Sequence, residues 1–161
     1  MIIVITGNRC SGKKTMGALL SQKTGIRLMP LGSFRVFHKD ERQAWQQFLK
    51  LLRTLDTSST SPDDSVILIA VKHDRELWQL LPSKPFQHLK IIKLTAPLEI
   101  LRERLAVRLK PYENLQILSE RILVPGQEWV ACLESDLVFD TSTSDPEELV
   151  QCVLRNLISR S

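Results

Sequence analysis

Long apolar runs are missing from this chain. No stretch approaches the roughly 18 consecutive apolar residues that cross a bilayer as a helix, so a soluble protein is expected. Cysteine is sparse as well. The three present, Cys10, Cys132 and Cys152, form no C-x-x-C pair and no metal-ligand spacing. That argues against a disulfide scaffold and points to reduced thiols in a cytoplasmic compartment. The opening Met1-Ile2-Ile3 lacks the basic n-region of a signal peptide. Excess charge is small, +4 from 22 Lys and Arg against 18 Asp and Glu. It suits anionic small ligands and is too evenly spread to argue for nucleic acid. There are no internal repeats, and at 161 residues the chain is long enough for one well-buried domain and short for two.

What is present is organised around Gly7-Asn8-Arg9-Cys10-Ser11-Gly12-Lys13-Lys14-Thr15, directly after the apolar run Ile2-Ile3-Val4-Ile5. The stretch follows G-x-x-x-x-G-K-[ST] except at its last position, where Lys14 stands and Thr15 comes one residue late. A β-branched strand precedes it, and a helical register at Met16, Leu19 and Leu20 follows. Gly7 and Gly12 let the backbone curl so that successive N–H groups face one concave anion site. The new helix adds its positive end to that site. Lys13 supplies a mobile charge for the outer phosphates of a nucleotide.

Further along, strands and helices alternate. A helix is expected over 13–23, a weak strand over 26–29 stopped by Pro30, and a long amphipathic helix over 39–55. Residues 56–65, rich in Ser and Thr, read as a loop. Buried strands are expected over 66–71 and 89–94, with a short helix over 75–81 between them. Pro97 opens a helix carrying Leu98, Leu101, Leu105 and Leu109 on one side. Residues 114–123 form a further helical piece, Pro125-Gly126 a turn, 129–134 a helix and 137–140 a last strand. Asp145-Pro146-Glu147-Glu148 starts a closing helix. The pattern implies a three-layer, doubly wound α/β fold with a parallel sheet of about five strands. Ligands in such folds sit beyond the C-terminal ends of the strands.

With those motifs the chain resembles the P-loop nucleoside monophosphate kinases, of the dephospho-CoA, cytidylate and adenylate kinase type. The likeness is carried by residues 7–15, by Ala96 to Arg108, similar to the lead into that family's lid, and by Asp136 to Ser142, similar to its last strand and adenine loop. It implies a single domain over 1–161, a lid-like segment around 104–123, and ATP and Mg2+ as cofactors. The loop residues Gly7, Asn8, Arg9, Cys10, Ser11, Gly12, Lys13, Lys14 and Thr15 would hold the phosphates. Lys13, Arg104 and Arg108 would brace the transferring phosphoryl group. Thr141 and Ser142 would contact the base, and Arg35 the acceptor's phosphate.

Two departures stand against this pattern. Family members usually place Ser or Thr directly after the loop lysine to touch Mg2+, and here Lys14 adds charge where the cation would sit. Adenylate kinases also lack a hydroxyl there, having Gly followed by Thr, so Thr15 is kept as a metal candidate. The Asp common at the end of the third strand is replaced by Ile69-Ala70. Asp74, beyond that strand, is a candidate substitute acid, against a helix-capping role ahead of Arg75-Glu76-Leu77, while Asp63 and Asp64 precede the strand. Two functional readings follow: a phosphotransferase acting on a small nucleoside or nucleotide, or a catalytically impaired nucleotide-binding domain serving a protein partner. A GTPase-type switch is set aside, for want of an N-K-x-D motif and of D-x-x-G after the third strand. No membrane association is expected.

Overall fold

The computed structural model describes residues 1–30, 40–58, 65–69 and 88–158. Its centre is strand β1 (Ile2–Gly7), buried along its whole length. On one side β1 pairs in parallel with β3 (Val66–Ile69), which in turn pairs with β2 (Arg27–Pro30). On the other it pairs with β4 (Leu89–Thr95), followed by β5 (Leu137–Asp140). The strand order is β2-β3-β1-β4-β5, all parallel.

Alternation of side chains along β1 divides the core in two. Ile3 and Ile5 face helices α1 (Lys13–Thr24) and α6 (Pro146–Ile158), packing on Met16, Leu20, Val150 and Val153. Ile2 and Val4 face α2 (Glu41–Ser58) and α5 (Val124–Cys132), against Phe48, Leu52, Trp129 and Val130. Helices cover both faces, which is why the central strands are near-continuous Val, Ile and Leu. One exception is Lys93 on β4, in register with Thr6. Its ammonium donates to the carbonyls of Val130 (3.2 Å) and Leu133 (2.8 Å), compensating the negative end of α5.

Element boundaries follow the sequence reading closely. The long helix runs three residues further, to Ser58, taking in part of the expected loop. The helix after Pro97, α3, covers Leu98–Ala106, with Leu101 and Leu105 buried. Asp145 caps α6, its carboxylate accepting from Glu147 N–H at 2.8 Å. The helix expected over 75–81, and Arg35 and Asp74 among the candidate site residues, lie outside the described residues.

Pro125-Gly126 is where the sequence reading fails. Instead of a turn, the chain is helical without a break from α4 (Leu115–Leu118), through a π-helical turn at Ser119–Leu123, into α5. Pro125 falls in the first turn of α5, where a proline can be accommodated. The wider turn ahead of it, with Val124 N–H bonded to Ser119 C=O, carries the chain past the ring. Such turns inside helices are frequent at functional sites.

Candidate functional site

The loop between β1 and α1 lies at the C-terminal end of the central strand. Gly7 (φ 146°) and Gly12 (φ 87°) take backbone angles closed to most side chains. Cys10 also has a positive φ, 65°. For a residue with a Cβ this conformation costs on the order of 1–2 kcal/mol. Tertiary contacts hold it there: the Cys10 carbonyl accepts from Arg104 Nη1 at 3.3 Å, and Arg108 Nη1 is 3.9 Å from its Sγ. The Cys10 side chain is buried with Ala96, Leu101, Leu105 and Leu123, a cluster that ties the loop to α3 and the π-helical turn.

Lys13 is buried and folds back over the loop. Its ammonium donates to the Gly7 carbonyl (2.9 Å), to the Asn8 carbonyl, and weakly to Ser11 Oγ (3.4 Å). Burial lowers its pKa from 10.5 to about 8, partly offset by Cys10, with Arg108 and Lys14 pushing the same way as burial. Lys14 and Thr15 are exposed in the first turn of α1, and Arg9 is exposed at the loop's rim. No side chain caps α1 at Gly12, which leaves its first-turn N–H groups facing the loop.

Asn8 occupies a position the motif leaves open, yet it is buried and ties the loop to a distant helix. Its Nδ2 donates to the Leu123 carbonyl (2.8 Å) and to Gln127 Oε1 (3.1 Å), and its Oδ1 accepts from Arg9 N–H (2.7 Å). Gln127 in turn donates to the Ala96 carbonyl at the end of β4, at 2.9 Å. Gly126 makes room for this: a Cβ there would overlap Asn8 Oδ1 and lie 2.8 Å from its Cγ. Gly126→Ala is therefore expected to expel the Asn8 amide and destabilise the chain by about 1–3 kcal/mol. Urea unfolding measures it, and an unchanged midpoint would contradict the contact. In the sequence Gly126 reads as part of a turn and Gln127 carries no signal, because their partner is more than a hundred residues away.

The two arginines do converge on the loop, with different attachments. Arg104 donates through Nη1 to Thr141 Oγ1 (2.9 Å) and through Nη2 to the Thr141 carbonyl. It thus joins Cys10 of the loop to the end of β5. Thr141 is further held by Thr95, whose carbonyl accepts from its N–H (2.9 Å) and its hydroxyl (3.2 Å). Arg108, in the turn past α3, is exposed, and among the described residues its side chain makes the long sulfur contact given above. Ser142 donates its N–H and hydroxyl to Asp140 Oδ1, which together hold that carboxyl below its ordinary pKa. Arg102 Nε donates to buried Ser119 Oγ at 2.7 Å, pinning α3 to the π-helical turn.

Mg2+, which the resemblance implies, requires oxygen ligands. The described residues other than Thr15, a hydroxyl residue exposed in the first turn of α1, do not fit it, and Asp74 lies outside them. Lys14, after the loop lysine, can donate but not ligate, and Ser11 Oγ is buried against Lys13. Strand β3 ends in Ile69 where an acid would be needed, and Ala70 follows in the sequence. Among the described residues no three His, Cys, Asp or Glu side chains gather to hold a metal. No helix among them is long and apolar enough to cross a membrane.

No family model matches the chain, and no curated protein matches its sequence. Its backbone is nevertheless similar to solved structures, kinases among them. A sugar kinase from Janibacter sp. HTCC2649 is 21% identical with a TM-score of 0.65, over 96% of this chain and 92% of that one. A shikimate kinase from Bacteroides thetaiotaomicron is 16% identical with a TM-score of 0.68, over 98% of each chain. The YorR protein of Bacillus subtilis, solved in complex with phosphorylated GDP, is 17% identical with a TM-score of 0.65, over 98% of this chain and 95% of that one. The glycine loop, the five-stranded parallel sheet and these likenesses together give this chain the fold of the P-loop kinases.

Proposed function

We propose that this chain is a phosphotransferase that moves the γ-phosphoryl group of ATP to a small acceptor, in the manner of the nucleoside monophosphate kinases. One observation carries the reading: Arg104 and Arg108, more than ninety residues away in sequence, both reach Cys10 of a glycine loop that already encloses the Lys13 ammonium. In the reaction an acceptor oxygen attacks the γ-phosphorus, the bond to the β–γ bridging oxygen breaks, and ADP leaves. The chain's part is positioning and charge stabilisation. Lys13 exchanges its carbonyl partners for phosphate oxygens. Arg108 is the arginine free to follow the transferring group within a lid formed by residues 104–123. Arg104 and Thr141 form the wall on the base side, with Ser142 beside them. Arg35 is assigned to the acceptor.

ADP release is the test, measured with ATP against nucleosides and nucleoside monophosphates, and also against sugars and hydroxy acids, since solved chains of similar fold are sugar and shikimate kinases. Arg108→Ala should lower turnover by about 10²-fold with a smaller effect on ATP affinity. Arg104→Ala should instead weaken both nucleotide affinity and stability. Equal behaviour of the two variants would contradict this division. The second reading, a nucleotide-binding domain without turnover that serves a protein partner, is favoured by Ile69 and Lys14 at the two catalytic positions. ATP binding without ADP release from any acceptor would establish it.

A further inference from the structure

At the two positions where the resembled family places oxygen ligands for a metal, this chain has Lys14 and Ile69. Lys14 is exposed in the first turn of α1, next to Lys13. Arg108 approaches from the end of α3, and Arg9 is exposed at the rim. Among the described residues, Arg108 and Lys14 are the cations acting on Lys13, and no carboxylate acts on it. Asp140, within electrostatic reach of Arg104, commits Oδ1 to Ser142.

We infer that the loop binds the polyphosphate tail of its nucleotide as the metal-free anion, with Lys14 and Arg108 beside Lys13 supplying the positive charge that Mg2+ would otherwise bring. The inference rests on the nucleotide-binding reading above and adds the ionic form of the ligand. A divalent cation on the phosphates would neutralise part of the charge the loop is built to attract. It would also stand next to the Lys14 ammonium, with no carboxylate among the described residues that act on Lys13 to offset that repulsion. Free ATP carries two more negative charges than its magnesium complex, and three cations can meet them here.

Isothermal titration calorimetry of the full chain with ATP, in excess EDTA and in excess MgCl2, tests this. The parent should bind at least as tightly in EDTA, and up to about tenfold more tightly. Lys14→Thr, at an exposed helical position where folding is not at stake, should lose about tenfold in EDTA and gain a preference for Mg2+. A parent that binds more tightly with Mg2+ overturns the inference and leaves the proposed function standing. A Lys14→Thr chain with the parent's metal response removes Lys14 from the account. Binding in neither buffer overturns both readings together.

Discussion

Lys13→Ala is expected to weaken ATP and ADP binding by about 10²–10³-fold while leaving the chain folded. The loss is of that size because the ammonium is already inside the loop, buried against the Gly7 and Asn8 carbonyls, so little reorganisation separates it from a bound phosphate. Burial pushes its pKa down to about 8 from 10.5, a penalty on the charged form on the order of 3 kcal/mol. The sign follows directly. Below about pH 8 the folded and unfolded chains both carry this proton, and the folded chain bears the whole penalty. Between 8 and 10.5 the folded chain releases it first, so this group makes the ligand-free protein more stable as pH rises. A polyphosphate partner reverses the trend by raising the lysine's pKa. Nucleotide affinity should therefore fall above about pH 8, by up to tenfold for each pH unit, with proton uptake on binding. Calorimetry in buffers of different ionisation enthalpy reads that uptake directly. A flat affinity from pH 7.5 to 9.5 would show that Lys13 does not meet the phosphates.

Gly7→Ala should unfold the protein most readily of the single changes considered. Its φ of 146° is strained for alanine, and the new Cβ would overlap the Leu94 carbonyl and come within 2.7 Å of Ser11 Oγ. Leu94 cannot move aside, because it is fully buried and paired with Gly7 in the β1–β4 ladder. Backbone strain and overpacking together are expected to cost about 3–5 kcal/mol, or about 10 °C in Tm for a chain of this size. Gly12→Ala is the control. It carries the same kind of dihedral strain, but a Cβ there meets nothing within 4 Å, so about 1 kcal/mol is expected. Thermal unfolding that ranks the two variants equally would mean that the close approach at Leu94 relaxes.

The sequence by itself determined the sheet, its covering helices and the phosphate loop. These depend on local signals: β-branched runs such as Ile2-Ile3-Val4-Ile5, helical spacing at Phe48, Leu49 and Leu52, a capping Asp145, and glycines at fixed offsets around Lys13. Only the tertiary structure decided how the loop is held. Asn8 against Gly126 and Gln127, Arg104 on Thr141 and Cys10, and Lys93 at the end of α5 are contacts between segments far apart along the chain. Such pairings leave no periodicity to read. The helix over Pro125-Gly126 was hidden for the same reason: its residues carry a turn's local preference, and packing of Leu123, Gly126 and Trp129 against the loop and sheet overrides it.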